Sequence, residues 1–192
     1  MFSTPFIALW LAVLAGIAWP PRAVGTVARG EGPSELALAA GLRALQQHRR
    51  HVSQRKIWTL IDYDLPFTSV RLWVLDARRG HTVKLASRVS HAWKSGPLFA
   101  TSFSNTPGSE LSSLGSYVTA QRPYDGGYGR SLRVRGLDRG QNDNALARAI
   151  VFHPDLGMTH SAGCFMLPGA DARRIVDSIA GGSFVYVHGP QP

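Results

Sequence analysis

The chain has a single cysteine, Cys164, in 192 residues. A lone cysteine excludes an internal disulfide framework, so the fold must rest on its hydrophobic core. No HExxH motif or zinc-ligand pair is present among the seven histidines, and neither a metal nor a cofactor is expected. Acidic residues are few, 12 Asp+Glu against 21 Lys+Arg, which leaves a formal net charge of +9. A nucleic-acid binder would carry a glycine-aromatic stacking motif or a helix with a run of basic residues. Neither occurs, and the arginines are scattered through strands and loops, so nucleic acid is not expected as a partner. Association with a polyanionic wall or membrane surface suits the charge as well. Internal repeats and low-complexity tracts are also lacking.

No uncharged apolar run reaches the ~20 residues that a spanning helix needs. The longest, residues 5–19, is followed at once by Pro20 and Pro21 and then by small residues. That pattern reads as the apolar region of a signal peptide, or else an N-terminal anchor, within residues 1–28. No Lys or Arg precedes the run, and no cysteine follows it to take a lipid. The expectation is therefore an exported protein of the periplasm or cell envelope. In such a compartment an unpaired thiol is at risk of oxidation, so Cys164 draws attention before any motif is read.

What is present favours β structure. Hydrophobic residues make up 44% of the chain, and 20 glycines and 12 prolines supply turns. Residues 29–54 read as a joint and a helix capped by Ser34, with Leu36, Ala39, Ala40, Leu42 and Leu45 on its apolar side. Strands are expected at 56–63, 70–76, 82–89, 114–121, 130–135, 149–153 and 183–188, with loops at 95–113 and 123–129. Within 130–135, Leu132 and Val134 face one way and Arg133 and Arg135 the other. A short helix is expected at 142–149 and a longer one at 168–180, stopped by Gly181-Gly182.

The chemistry concentrates in HPDLGMTHSAGC, residues 153–164. A thiol attacks a carbonyl as the thiolate, and an imidazole can take its proton and hold an ion pair with it. His153, at a strand end, is held more firmly than His160, in the loop beside Cys164, but both are candidate bases. Ser161-Ala162-Gly163-Cys164 can present backbone N–H groups to an oxyanion, Gly163 allowing the tight turn.

Several segments taken together carry a family resemblance. SNTPGSELSSLGSYVT (104–119), LRVRGLDRGQNDNALARAIVFH (132–153) and HSAGC (160–164), joined by IDYDLPFTSVRLWVLD (61–76) and SHAWKSG (90–96), resemble the murein L,D-transpeptidase catalytic-domain family, relatives of the YkuD-type enzymes. The resemblance covers about 55–188 and implies a catalytic domain over 55–192. The implied fold is mainly β, a YkuD-like β-sandwich of mixed sheets with two or three peripheral helices. It implies acylation of Cys164 by a peptidoglycan stem peptide, His153 as base, and an oxyanion hole around Ser161, Gly163 and Cys164. His91, His160, Ser104 and Arg148 are expected at the substrate. Transfer to an amine would make a crosslink, transfer to water an L,D-carboxypeptidase. A wall-binding module without activity is the reading of another class. The chain departs from the family pattern in Pro154 after His153, a short stretch from there to Cys164, His160 in place of an arginine, and Phe165 after Cys164.

Overall fold

The structure, a computed structural model, describes residues 32–190. The expected leader at 1–28 therefore lies outside the described residues. Ser34 caps helix α1 (Glu35–His48), its hydroxyl accepting from Ala37 N–H. The apolar side of α1 differs from the sequence reading. Ala37, Gly41 and His48 are buried, whereas Leu36 is 66% exposed.

Nine strands follow: β1 (Gln54–Asp62), β2 (Leu72–Asp76), β3 (Thr82–Ser87), β4 (Gly115–Thr119), β5 (Tyr124–Gly126), β6 (Gly129–Gly136), β7 (Val151–Pro154), β8 (Phe165–Leu167) and β9 (Ser183–His188). Helix α2 (Gly169–Ile179) precedes β9. The protein is thus mainly β with two α-helices, as expected. Pairing runs as one curled, mixed path, β3-β2-β1-β9-β4-β6-β7-β8, with β5 on β6. β1 with β9 and β7 with β8 are parallel, and the other pairs are antiparallel.

Burial on both faces explains why β1 reads as a near-continuous apolar run. Trp58 and Leu60 join Ala37, Trp73, Leu75 and Phe184 in a cluster that partly buried α1 side chains cover. Ile57 and Ile61 join the larger cluster, to which α2 adds Ala172, Ile175, Val176 and Ile179. In β6, Leu132 and Val134 are buried and Arg133 and Arg135 exposed, as the alternation requires.

Two local expectations fail. The 123–129 segment is a short hairpin, β5 turning into β6. Residues 142–149 make turns, not a helix. There the buried Asn142 side chain donates to the carbonyls of Leu114 and Ser116, and Ala149 takes a left-handed φ of 53°. Backbone also meets backbone closely here, because a methyl on Gly136 would lie 2.0 Å from the Asn142 carbonyl oxygen. Gly136→Ala should therefore cost about 2–3 kcal/mol, read as a lower urea midpoint with unchanged slope. A midpoint matching the parent chain would show that this turn can yield.

Candidate active site

β7 and β8 bring the reactive groups together. In their parallel register Phe152 pairs with Phe165 and His153 with Met166. Side chains two residues apart share a face, so Cys164, just before β8, points to the same side as Met166 and His153. The backbone positions of Cys164 and His153 are offset by one two-residue step, ~7 Å along the strands and ~5 Å across. Tight turning before β8 falls to Gly163 at φ 133°, where a Cβ would press on Ile150 at 2.9 Å and Arg148 at 3.1 Å.

The half-buried thiol of Cys164 faces the Ala149 carbonyl at 3.7 Å. Burial pushes its pKa up, while the Val151 backbone N–H and the nearby Arg148 charge pull it down less strongly. His153 is buried, with Nδ1 2.6 Å from the Pro154 carbonyl. Nδ1–H therefore donates to that carbonyl, leaving Nε2 as the lone-pair nitrogen. Burial lowers the His153 pKa, against smaller raising effects of that bond and of Asp155. A thiol shifted up and an imidazole shifted down favour a neutral resting pair over the ion pair expected from sequence.

His160 stands differently. Its ring lies 4.8 Å from Phe67 and 5.1 Å from His91, with Nε2 3.2 Å from the Pro97 carbonyl and Nδ1 3.0 Å from the Thr159 hydroxyl. Both nitrogens thus have partners. The Ser161 hydroxyl donates to the Cys164 carbonyl at 2.7 Å and accepts from Gly163 N–H at 3.0 Å. This staples the turn, and it occupies the Gly163 N–H expected to serve an oxyanion.

The other residues expected at the substrate have polar atoms already bonded within the protein. His91 is fully buried, Nδ1 2.9 Å from Arg71 and Nε2 2.7 Å from the Gly96 carbonyl, so it offers no nitrogen to a ligand. Arg148 donates to the carbonyls of Ser104 (2.8 Å) and Leu111 and to the Ser113 hydroxyl, which pins the 104–113 loop beside Gly163. The Ser104 hydroxyl accepts from Thr106 N–H, a local loop bond.

Two residues at the site escaped the sequence reading. Arg71, fully buried, donates to the Val89 and Leu65 carbonyls, both at 2.9 Å, and to His91, with its guanidinium 4.6 Å over the Tyr63 ring. An arginine inside the apolar run VRLWVL was the available signal, because unpaired arginines are rarely buried. Tyr128, in the β5–β6 turn, lies 4.7 Å from the His153 ring and is 53% exposed. Elsewhere, Asp62, Asp64 and His188 bring one potential ligand atom each within 4.8 Å of one another. Their own bonds hold them, Ser34 Oγ and Asp64 N–H to Asp62 and His188 Nε2 to Asp64 at 3.2 Å.

The strand that ends in His153 and the strand that follows Cys164 are thus paired in parallel, with a glycine turn just before the cysteine. The L,D-transpeptidase catalytic-domain family model matches residues 32–188, and the chain belongs to that family. The match takes in α1, which the sequence reading placed outside the domain. A search of curated proteins finds no match.

Burial lowers the His91 pKa to about 4, against ~6.5 in an unfolded chain. Between these values the unfolded chain binds a proton that the folded one does not. The contribution of His91 is therefore fully present above pH ~6.5 and lost as pH falls toward 4, up to ~3 kcal/mol. His91→Gln keeps an acceptor for Arg71 and a donor for Gly96 and should flatten that slope in urea unfolding from pH 4 to 7. An unchanged slope would assign the pH dependence to another group.

Proposed function

We propose that the protein is an exported cysteine L,D-transpeptidase acting on peptidoglycan stem peptides. The observation that carries this reading is the shared face of Cys164 and His153 on paired β7 and β8 within a chain of this family. His153 Nε2, freed by the Nδ1–H bond to Pro154, takes the thiol proton as sulfur attacks the carbonyl after the diaminopimelate centre of a tetrapeptide. The C–S bond forms and the tetrahedral oxyanion is held by backbone N–H groups about Cys164, with Arg148 adding positive potential. Collapse breaks the peptide bond, and the proton on His153 leaves with the D-alanine amine. An acceptor amine, or water in a carboxypeptidase, then attacks the thioester and restores the thiol.

The partnered nitrogens of His160 favour His153 as the base. The neutral resting pair favours proton transfer on substrate arrival, when the closing peptide displaces water. Exposed apolar side chains at Trp93, Leu98, Phe99 and Tyr128 offer a rim for peptide and sugar. The net charge of +9 suits association with an anionic wall. The curled pairing is compatible with a two-layer sandwich of the family type.

Incubation with tetrapeptide muropeptides followed by mass spectrometry tests the reading. The expected products are D-alanine and crosslinked dimers, with activity lost by at least ~1000-fold in Cys164→Ala and ~100-fold in His153→Ala. Tripeptide without dimers would mean water is the acceptor. Activity kept in His153→Ala and lost in His160→Ala would transfer the role of base. No product from the intact protein would favour the binding module.

In the free protein, iodoacetamide should alkylate Cys164 with an apparent pKa above the ordinary ~8.5. A value well below it would mean a resting thiolate–imidazolium pair instead.

A further inference from the structure

Arginines that lie apart in the sequence converge at one end of the fold. Arg49 and Arg50 stand in the short turn after α1, Arg55 and Lys56 at the start of β1, and Arg78 and Arg79 in the turn from β2 to β3. Ala77 N–H donates to the Lys56 carbonyl at 2.9 Å, which brings the last pair beside the second, and Arg49, Arg55 and Ala77 line one pocket. All six cationic residues are exposed, and none forms an ion pair with a described residue. The carboxylate that precedes Ala77, on Asp76, is buried and has Lys84 at 3.8 Å. Arg135 of β6 reaches the same end, where desolvation first, and then the Arg50 and Arg135 charges, lower the His51 pKa.

The pocket among these cations has a volume of about 250 Å³, with Leu45, Val52, Ile57 and Trp58 in its lining beside the two arginines. It sits where the pairing of β1 with β9 slips register, between Gln54 and Trp58. Its volume falls short of the ~300–1,000 Å³ of small-molecule sites and suits one large side chain. Among the described residues, no large apolar side chain is exposed along 45–58 or 77–81. A membrane-binding surface projects apolar groups into the bilayer. Here the apolar part is concave and the charge stands around it. A partner must therefore bring the apolar group itself, with negative charge on either side, as at the anchor pockets of protein interfaces. The uncharged run 5–19 of this chain would bring only the first.

We propose that this basic end docks an acidic polypeptide, which seats one large apolar side chain in the pocket while its carboxylates meet Arg49, Arg55 and the cations around them. The surface lies well away from the cysteine. β1 runs from Gln54 at this end to Asp62 at the other, ~26 Å at ~3.3 Å per residue. Only beyond that far end does Tyr63 donate to the Ser90 carbonyl, beside the reactive segment. A partner held at the basic end leaves the Cys164 side of the fold open. The proposal stands whether or not the protein transfers acyl groups.

The test is fluorescence anisotropy of two labelled peptides titrated with the full chain, each a run of glutamates around one central residue, phenylalanine or alanine. The phenylalanine peptide should bind about tenfold or more tighter, as burial of one such side chain implies. Arg49→Gln with Arg55→Gln should weaken both peptides at least about fivefold and reduce their dependence on salt. Arg88→Gln with Arg173→Gln removes equal charge from exposed positions elsewhere and should change binding by less than about twofold. Ala77→Leu fills the pocket and leaves every charge in place, so it should abolish the preference for phenylalanine while the alanine peptide still binds. Urea midpoints show that each variant is folded. Equal affinity of the two peptides, a preference that survives Ala77→Leu, or losses matched by the control pair would each overturn the proposal. No binding of either peptide would overturn it too, and phosphatidylglycerol vesicles then held through Arg49 and Arg55 would assign the surface to a bilayer.

Discussion

A guanidinium with no solvent contact is tolerable in a protein interior only where its N–H groups find acceptors. Arg71 meets that condition with the carbonyls of Val89 and Leu65 and with His91 Nδ1, which ties the 89–91 stretch to Leu65. Desolvation lowers its pKa to about 10, which still leaves it cationic at neutral pH. The guanidinium is a donor only, so it fixes His91 as the tautomer protonated on Nε2, and that proton goes to the Gly96 carbonyl. The backbone of His91 then accepts from Ser161 N–H, and Ala92 bridges to Ser161. Ser161 in turn holds the Cys164 carbonyl. A chain of fixed hydrogen bonds thus runs from a buried charge to the residue that must be positioned within a fraction of an ångström. The histidine that family likeness would send to the substrate is a link in this chain of bonds.

The same burial sets the acid–base balance. The thiol sits where desolvation disfavours the thiolate, and His153 sits where it disfavours the imidazolium. Each shift alone would weaken a cysteine enzyme. Both directions disfavour a standing ion pair. A protonated thiol is also slow to oxidise, because the thiolate is the species that enters the oxidation ladder. For a lone cysteine proposed to work outside the cell, that restraint is an advantage that a standing ion pair would lack.

Local patterns were legible in the sequence and long-range ones were not. The alternation in β6, the amphipathic face of α2, the Ser34 cap and the strand ending in His153 follow from residues close in sequence. The strand β8 is three residues long and is absent from the strands expected from sequence, because nothing local distinguishes it. Its strand character comes from pairing with β7. The path of the sheet depends on β1 meeting β9 across nearly the whole domain, so a sandwich was an expectation that periodicity could not test. The segment after Asn142 has helical composition. It is diverted by one side chain that spends its donors on Leu114 and Ser116, partners that no helical pattern reveals. Cys164 stands out in the sequence because it is unique, whereas His91 and Arg148 drew their expected roles from likeness alone. Both prove to have their polar atoms committed to backbone carbonyls.

The departures from the family pattern find a common physical sense around the short loop. Pro154 supplies the carbonyl that orients His153, and its ring would lie 3.6 Å from a Cβ on Gly129, at the turn that carries Tyr128. A proline there has a fixed φ, which restrains the approach of that carbonyl to Nδ1. The shortened stretch to Cys164 is tied down by His160, packed at a tilt against Phe67 and bonded to the Pro97 carbonyl. With His160 so used, the position where an arginine was expected carries no cation toward the substrate. Arg148 is clamped to the 104–113 loop, whereas Arg88 has no partner among the described residues.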